Sequence, residues 1–338
     1  MFDPQQTLSL GKTNVKITRM GLGTGVLGGL NEVVTEERFQ ATIEAAFGAG
    51  IRYFDTAPLY GLGVSEQRLG AILAAKPRAT FALSTKIGRL LRTDESLEPG
   101  AEVDHLYDTS WVGVPQKKLV IDYSYDATMR SLEESLNRLG LDRVDIVYIH
   151  DAFTAADFKS AMNGAYRAVD QLRSEKVIGA VGVGIGLSSV LVQFANAGNF
   201  DCFILAGRYT LLDHDALSEL LPLCLAKNIS IVLAGVYNSG ILADPWHVAA
   251  RFEYEPANQG MIARARQMDE IGSRYGIPLK AAALQFPMAH PAVVTILTGA
   301  TRPQEIDENV QLAQLPIPAQ FWTDLRSEGL LPPHAPTP

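Results

Sequence analysis

Eight short apolar runs, at residues 18–23, 51–55, 81–85, 144–149, 177–183, 201–205, 229–234 and 293–297, are separated by stretches of helical periodicity. Most of the runs are continuously apolar instead of alternating, as expected of strands covered on both faces. Parallel neighbours need a crossover, and a chain of eight such strands with a crossover between each successive pair has the count of an α/β (β/α)8 barrel, the TIM barrel. Helical patterns fall near 65–75, 125–139, 158–174, 188–197, 214–226 and 258–274. The clearest helix start is Thr35, a hydroxyl N-cap followed by Glu36 and Glu37; Phe39, Ile43, Ala46 and Phe47 then form one apolar stripe, and Gly48 and Gly50 end it. Two connections are longer than a crossover requires. Residues 87–120 carry Gly88, Pro99, Gly100, Gly113 and Pro115 around Trp111, and residues 236–257 carry Trp246 and His247. Both are expected as loops over the barrel mouth, where long loops are usually functional. No linker divides the chain, so 1–338 reads as one domain, with a proline-rich, flexible tail at 331–338.

Four ionisable side chains stand where strands end. Asp55 closes the second run and Tyr60 follows five residues later; Lys86 follows the third run and His150 the fourth. A barrel collects strand C-termini at one mouth, so these four are expected to share a site. Each alone has a plain structural reading: a turn-capping Asp55, a half-buried Tyr60, a solvated Lys86, and a mutually satisfied pair of His150 with Asp151. Together they make coherent chemistry. A tyrosine, with an ordinary pKa of about 10, works as acid or base near neutrality only if something favours the phenolate. An ammonium such as Lys86 does so, and Asp55 can hold that ammonium charged and oriented. His150 could then bond a substrate oxygen.

Gly23-Thr24-Gly25-Val26-Leu27-Gly28 matches G-x-G-x-x-G after the first strand, with Asp55 closing the second. A dinucleotide fingerprint needs its helix to begin within the glycine loop. Here Gly29 to Val34 intervene before the helix start at Thr35, so the match reads as a flexible strand-to-helix loop instead. The net charge of -8, without any Lys/Arg run, opposes nucleic acid or an anionic membrane as partner. Cys202 and Cys224 have neither a C-x-x-C spacing nor neighbouring histidines, so neither a disulfide framework nor a metal site is expected, and a reducing cytoplasm fits. No secretory signal is visible, and no apolar run approaches the roughly 20 residues that span a bilayer. What remains is a cytoplasmic monomer or small homo-oligomer acting on a small molecule.

Four blocks, GIRYFDTAPLYGLGVSEQRLG, ALSTKIG, RSLEESLNRLGLDRVDIVYIHD and TGATRPQEIDENV, resemble the aldo-keto reductase superfamily across nearly the whole chain. The resemblance implies a (β/α)8 barrel that binds NAD(P) without a Rossmann motif, and a catalytic tetrad of Asp55, Tyr60, Lys86 and His150. It also implies cofactor contacts at Gly23 and Thr24, at Tyr237, Asn238, Ser239 and Gly240, and at Gly299, Ala300, Thr301, Glu305, Glu308 and Asn309. Several departures stand out. A Ser-Asn pair that holds the carboxamide in many members is Gly184-Ile185 here, and a family glutamine is replaced by Ala206. The usual stacking aromatic is missing near Ala234 or Gly235, where Tyr237 lies close enough to substitute.

One position that is basic in NADP-preferring members falls on Glu305. A carboxylate there would repel a 2′-phosphate and accept from a ribose hydroxyl, which implies NAD over NADP despite the nearby Arg302. A second reading has Glu305 simply acidic in a helix's first turn. Within the family, the blocks at 121–151 and 205–217 look like bacterial sugar 1-dehydrogenases, for L-fucose or other D-threo-aldoses, and the similar pyridoxal 4-dehydrogenases. Oxidation of a sugar hemiacetal to its lactone is therefore expected, with Tyr60 as base and Trp111 and Trp246 as pocket walls. Formation of 4-pyridoxolactone from pyridoxal, or NADPH-dependent carbonyl reduction, are the alternatives.

Overall fold

A computed structural model of the protein describes residues 2–105 and 111–338. Eight parallel strands close into the expected barrel: Met20–Gly23, Tyr53–Asp55, Ala82–Ile87, Ile146–His150, Ala180–Ile185, Cys202–Ala206, Ser230–Ala234 and Val293–Gly299, each paired with its neighbours in chain order. An antiparallel hairpin, Thr7–Ser9 with Lys16–Thr18, precedes the first strand. Leu10 and Ile17 from it join the buried cluster inside the barrel. The expected first strand at 18–23 thus merges the end of that hairpin with a shorter barrel strand.

Strand periodicity explains the interior. Alternate residues of each strand face inward, and the inward set Tyr53, Ala82, Ile146, Tyr148, Ala180, Cys202, Ile204, Val232 and Leu297 forms one cluster. Two strand glycines make room for its tyrosines. A Cβ on Gly21 would lie 2.8 Å from the Tyr53 ring, and one on Gly182 would lie 2.6 Å from that of Tyr148. Continuing the inward set by two residues towards the mouth turns Tyr53 into Asp55, Ala82 into Ser84 and Lys86, and Tyr148 into His150. The register places Asp55 opposite Ser84 and Lys86 opposite Tyr148. The polar residues are therefore the top layer of an otherwise apolar stack.

Outside, helices cover the strands. Glu36–Gly48 begins as expected, with the Thr35 side chain accepting from Arg38 N, and buries Phe39, Ile43 and Ala46. Burying each larger apolar side chain contributes about 1.5–3 kcal/mol. The helix expected over 158–174 is two, Ala155–Asn163 and Ala165–Ser174, broken at Gly164. A Cβ there would sit 2.3 Å from Tyr123 O, so a close backbone contact sets the break, which no periodicity reveals. In the 214–226 segment a short 3-10 turn, Asp215–Leu217, precedes the helix Leu220–Lys227.

Both long connections carry structure of their own. In 87–120, Arg89–Arg92 pairs antiparallel with Lys118–Ile121; residues 106–110 of that expected loop lie outside the described residues. In 236–257, Arg251–Phe252 and Glu255–Pro256 form a small hairpin whose tip residues Glu253 and Tyr254 have φ of 54° and 65°. The 331–338 tail lies along the last helix, Ala319–Ser327: Arg326 Nη2 donates to Ala335 O at 2.9 Å and to Thr337 Oγ1 at 2.8 Å. No described helix is long and apolar enough to cross a membrane.

Candidate active site

The second strand ends at Asp55, and the chain turns through Pro58 into a short 3-10 segment beginning at Tyr60. Gly61, Leu62 and Gly63 all have positive φ, which folds this turn against the first loop. The fit explains the last glycine of the G-x-G-x-x-G string and its partner in the Tyr60 turn. A Cβ on Gly28 would lie 2.7 Å from Gly61 N, and one on Gly61 would lie 2.3 Å from Gly28 O. Gly28 and Gly61 serve backbone-to-backbone packing beside Tyr60. Thr24 takes part in the same packing: it is buried, its Oγ1 donates to Asp55 O at 2.9 Å, and it receives Ser65 Oγ at 2.7 Å.

The four expected residues meet at the mouth. Lys86 Nζ lies 2.5 Å from Asp55 Oδ2 and donates to Thr56 O at 3.0 Å. The same ammonium stands 4.5 Å from the centroid of the Tyr60 ring, over its face. The Tyr60 and His150 rings meet edge-on with centroids 6.1 Å apart. Ser84, not singled out in the sequence, donates to the other Asp55 oxygen at 2.6 Å. From Ser84 a chain of hydroxyls descends inside the barrel: Tyr53 OH at 3.1 Å, Tyr148 OH at a further 3.1 Å, then Cys202 Sγ at 3.5 Å.

The electrostatics separate the roles. Burial, followed by the charges of Asp55 and Asp151, holds the Tyr60 hydroxyl well above its ordinary pKa. The ammonium was expected to favour the phenolate. It is committed to Asp55, and desolvation prevails, so the resting group is a neutral phenol. Burial, then Arg89 and Lys86, pushes His150 well below the usual histidine range, so its ring is neutral and can donate only one N–H. Behind His150, Arg89 donates through Nη1 to His150 O at 2.8 Å and through Nε to Asp104 Oδ2 at 2.7 Å. The Tyr123 hydroxyl reaches the same His150 O at 2.7 Å. Arg89 and Asp104 come from the long third connection, and only the position of Arg89 just past Lys86 could have flagged them.

Of the two tryptophans, Trp111 joins the site. Its ring centroid is 6.4 Å from that of Tyr60, and its Nε1 is buried with no hydrogen-bond partner among the described residues. Trp246 does not join, which corrects the expectation. Its Nε1 donates to Asp269 Oδ2 at 2.8 Å and Arg266 covers its ring at 4.7 Å, so the side chain is turned onto the helix Gln259–Arg274. The same loop instead offers Tyr254, which is 62% exposed. The backbone of Tyr254 is tied to Ser239 Oγ at 2.8 Å.

Several of the expected cofactor residues stand at the strand ends and loops beside this cluster. The sixth, seventh and eighth strands end in Ala206-Gly207, Ala234-Gly235 and Gly299-Ala300, leaving backbone with little side chain above it. Asn238 Nδ2 donates to Gly207 O at 3.2 Å, while its Oδ1 is buried without a partner among the described residues. Tyr237 OH donates to Asn309 Oδ1 at 2.6 Å, joining the seventh-strand loop to the helix Pro303–Gln314. That helix starts without a side-chain cap at Arg302, and Glu305 in its first turn accepts from Thr301 N at 2.7 Å. Glu308 points elsewhere: it is exposed and paired with Lys280 at 2.8 Å. Strand ends poor in side chains, an unfilled acceptor at Asn238 and a helix start without a side-chain cap suit a nicotinamide dinucleotide. At the opposite end of the barrel lies a cleft of about 1040 Å³ lined by Arg78, Arg173 and other cations. Arg78 and Arg173 are bound to Asp145 and Asp201 there, so that end reads as structural.

Comparison with known proteins adds to this geometry. The profile described as "Aldo/keto reductase family" matches residues 19–328. A pyridoxal 4-dehydrogenase from Microbacterium luteolum is 40% identical over 334 residues, 96% of this chain and 97% of that protein. A D-threo-aldose 1-dehydrogenase from Pseudomonas sp is 38% identical over 319 residues, 94% of this chain and 95% of that one. Among solved structures, the glycerol dehydrogenase AKR11B4 from Gluconobacter oxydans superposes with a TM-score of 0.75 at 21% identity, covering 99% of this chain and 97% of the other; that likeness concerns the fold alone.

Proposed function

The chain belongs to the aldo/keto reductase family, an oxidoreductase of CH–OH groups that uses a nicotinamide cofactor, and from that premise we propose that it oxidises the anomeric carbon of an aldose to the lactone, with NAD. The observation that carries the chemistry is the cluster of Lys86, Asp55, Tyr60 and His150 at one mouth, with Lys86 Nζ 2.5 Å from Asp55 and 4.5 Å from the Tyr60 ring centroid.

Tyr60 takes the proton of the anomeric hydroxyl. The adjacent ammonium of Lys86 steadies the negative charge that Tyr60 must carry to act as base, and Asp55 with Ser84 keeps that ammonium in place. The neutral His150 ring donates its N–H to the substrate oxygen, orienting it and stabilising charge there. When bound, the nicotinamide supplies the hydride acceptor for the C–H bond that breaks. As that hydride and the hydroxyl proton leave, the C–O bond becomes the lactone carbonyl. Trp111, with an aromatic face and a buried N–H, suits a sugar ring that offers both C–H and hydroxyl surfaces.

Tyr237, Asn238, Gly299, Ala300 and the start of the helix at Pro303 would hold the dinucleotide. Glu305 has one oxygen on Thr301 N, which leaves the other for a ribose hydroxyl. Its negative charge supports NAD over NADP.

The test is NADH formation with L-fucose, D-arabinose and L-galactose, with NADP in parallel. No turnover of any aldose with either cofactor would remove the sugar reading. A second reading, pyridoxal to 4-pyridoxolactone, is favoured by the 40% identity to a pyridoxal 4-dehydrogenase, and a higher kcat/KM for pyridoxal than for every aldose would establish it.

A further inference from the structure

Neighbouring side chains on an extended strand point to opposite faces. His150 ends the fourth strand in the inward set, so regular backbone would turn Asp151 away from the site. The backbone instead adopts φ of 48° at Asp151, a left-handed conformation uncommon outside glycine. That turn brings Asp151 Oδ2 to 3.4 Å from His150 Nε2. It is firmly clamped. Asp151 N donates to Gly184 O at 3.0 Å, while Arg89 and Tyr123 both bind His150 O. Arg89 Nη2 lies 3.9 Å from the same Asp151 oxygen.

The carboxylate is costly where it stands. Its side chain is 11% exposed, yet among the described residues no hydrogen bond ends on either of its oxygens. Burial raises its pKa to about 6 in spite of Arg89 and Lys86. Only longer contacts with Arg89 at 3.9 Å and His150 at 3.4 Å offset a strained backbone and a largely buried charge, a combination that marks groups kept for a ligand.

We propose that Asp151 is a substrate-binding residue, accepting a hydrogen bond from the hydroxyl next to the reacting carbon and so selecting polyhydroxy substrates. The inference rests on the sugar reading above. Vicinal sugar oxygens are spaced much like a hydrogen-bonded pair. Two groups 3.4 Å apart, one donating from His150 and one accepting at Asp151, match such a pair. Arg89 keeps the carboxylate ionised and aimed, as a positioning residue. A carboxylate acceptor also discriminates: a substrate lacking that hydroxyl leaves it unpaired, which a merely apolar wall would not register.

The experiment is a thermodynamic cycle of Asp151→Asn against deoxy sugars. Initial rates are measured for wild type and variant with the best aldose and with its 2-, 3- and 4-deoxy analogues. The expected result is a fall in kcat/KM of about 10- to 100-fold for the variant with the parent sugar, mostly in KM. The 2-deoxy analogue should lose a similar factor with wild type and almost nothing further with the variant, and coupling confined to the 3- or 4-deoxy analogue would overturn the assignment. Penalties that multiply independently for every analogue overturn the inference while leaving the sugar reading standing. Failure of wild type to oxidise any aldose removes both. NAD binding by fluorescence titration reports on folding of the variant, and Asp151→Ser, run through the same cycle, replaces it if that binding is lost.

Discussion

Lys86 aims its ammonium at Asp55 and shows Tyr60 only its proximity: Nζ is 2.5 Å from Asp55 Oδ2, whereas it stands over the phenol ring at 4.5 Å from the centroid. The pair is almost fully enclosed, with side-chain exposures of 3% and 4%. Removing one member leaves the other charge buried and unpaired. Asp55→Asn is therefore expected to cost about 3–5 kcal/mol, read as a lower urea midpoint, and the double change Asp55→Asn with Lys86→Met to recover much of that loss. Activity should not recover in the double variant. Additive stability losses would show that the two charges do not depend on one another.

Tyr60 should govern the pH profile. Because burial lifts its hydroxyl well above the ordinary range, the base form grows as pH rises. Oxidation by wild type is expected to keep accelerating through pH 9, while carbonyl reduction, which needs the protonated phenol, should not. Tyr60→Phe should reduce kcat about 10²- to 10⁴-fold, the usual worth of general acid–base catalysis, with the dinucleotide Kd unchanged. Wild-type rates in that variant would dismiss Tyr60 as the proton carrier.

Asp151→Asn should stabilise the protein at neutral pH. The carboxyl pKa is raised from 3.8 to about 6, so the folded chain holds this proton more tightly than the unfolded chain. Its stabilising contribution is full below pH 4 and is lost as pH rises through 6. The wild-type protein accordingly forgoes up to about 2–3 kcal/mol at pH 7.5, and an amide, also at ease with positive φ, avoids that loss. His150 acts in the opposite direction, since its lowered pKa makes acid unfolding easier, but it is common to both proteins. Thermal midpoints should favour the variant at pH 7.5 and converge near pH 4. Equal midpoints at both values would contradict the buried carboxylate.

Glu305 should set the choice of dinucleotide. Its carboxylate is half-buried at the first turn of Pro303–Gln314. Glu305→Gln preserves the bond from Thr301 N and removes only the charge. NADP binding should tighten about tenfold, corresponding to about 1.4 kcal/mol of relieved repulsion, with NAD changed by less than about threefold. Fluorescence titration of both cofactors decides this, and parallel shifts would confine Glu305 to capping its helix.

The barrel and the four clustered residues were legible because their signals are local. A charged side chain closing an apolar run has no packing reason to be there, which is why Asp55, Lys86 and His150 stood out, and Tyr60 followed by its spacing. The rest depends on contacts between segments far apart in the chain. Trp246 was assigned to the mouth because nothing in its own loop tells which side it faces; Arg266 and Asp269 on the following helix decide that. The neutral state of Tyr60 depends on the commitment of Lys86 to Asp55 and on desolvation, and spacing reports neither. The left-handed turn at Asp151 depends on Arg89, Tyr123 and Gly184, none of them its neighbours in sequence. Gly164 looked like an ordinary helix residue until Tyr123 O occupied the space of its Cβ.

The hydroxyl column beneath Asp55 divides the molecule into an invariable axle and an exchangeable rim. From Cys202 through Tyr148, Tyr53 and Ser84, each group holds the next, and the last of them holds the carboxylate that holds Lys86. Any link replaced alone leaves a polar neighbour stranded in a sealed interior, so the column resists piecemeal change. Among the described residues, no hydrogen bond joins the loops carrying Trp111 and Tyr254 to its members. A new substrate can therefore be acquired by rebuilding the rim while the proton-handling machinery, anchored from the floor of the barrel, is passed on intact.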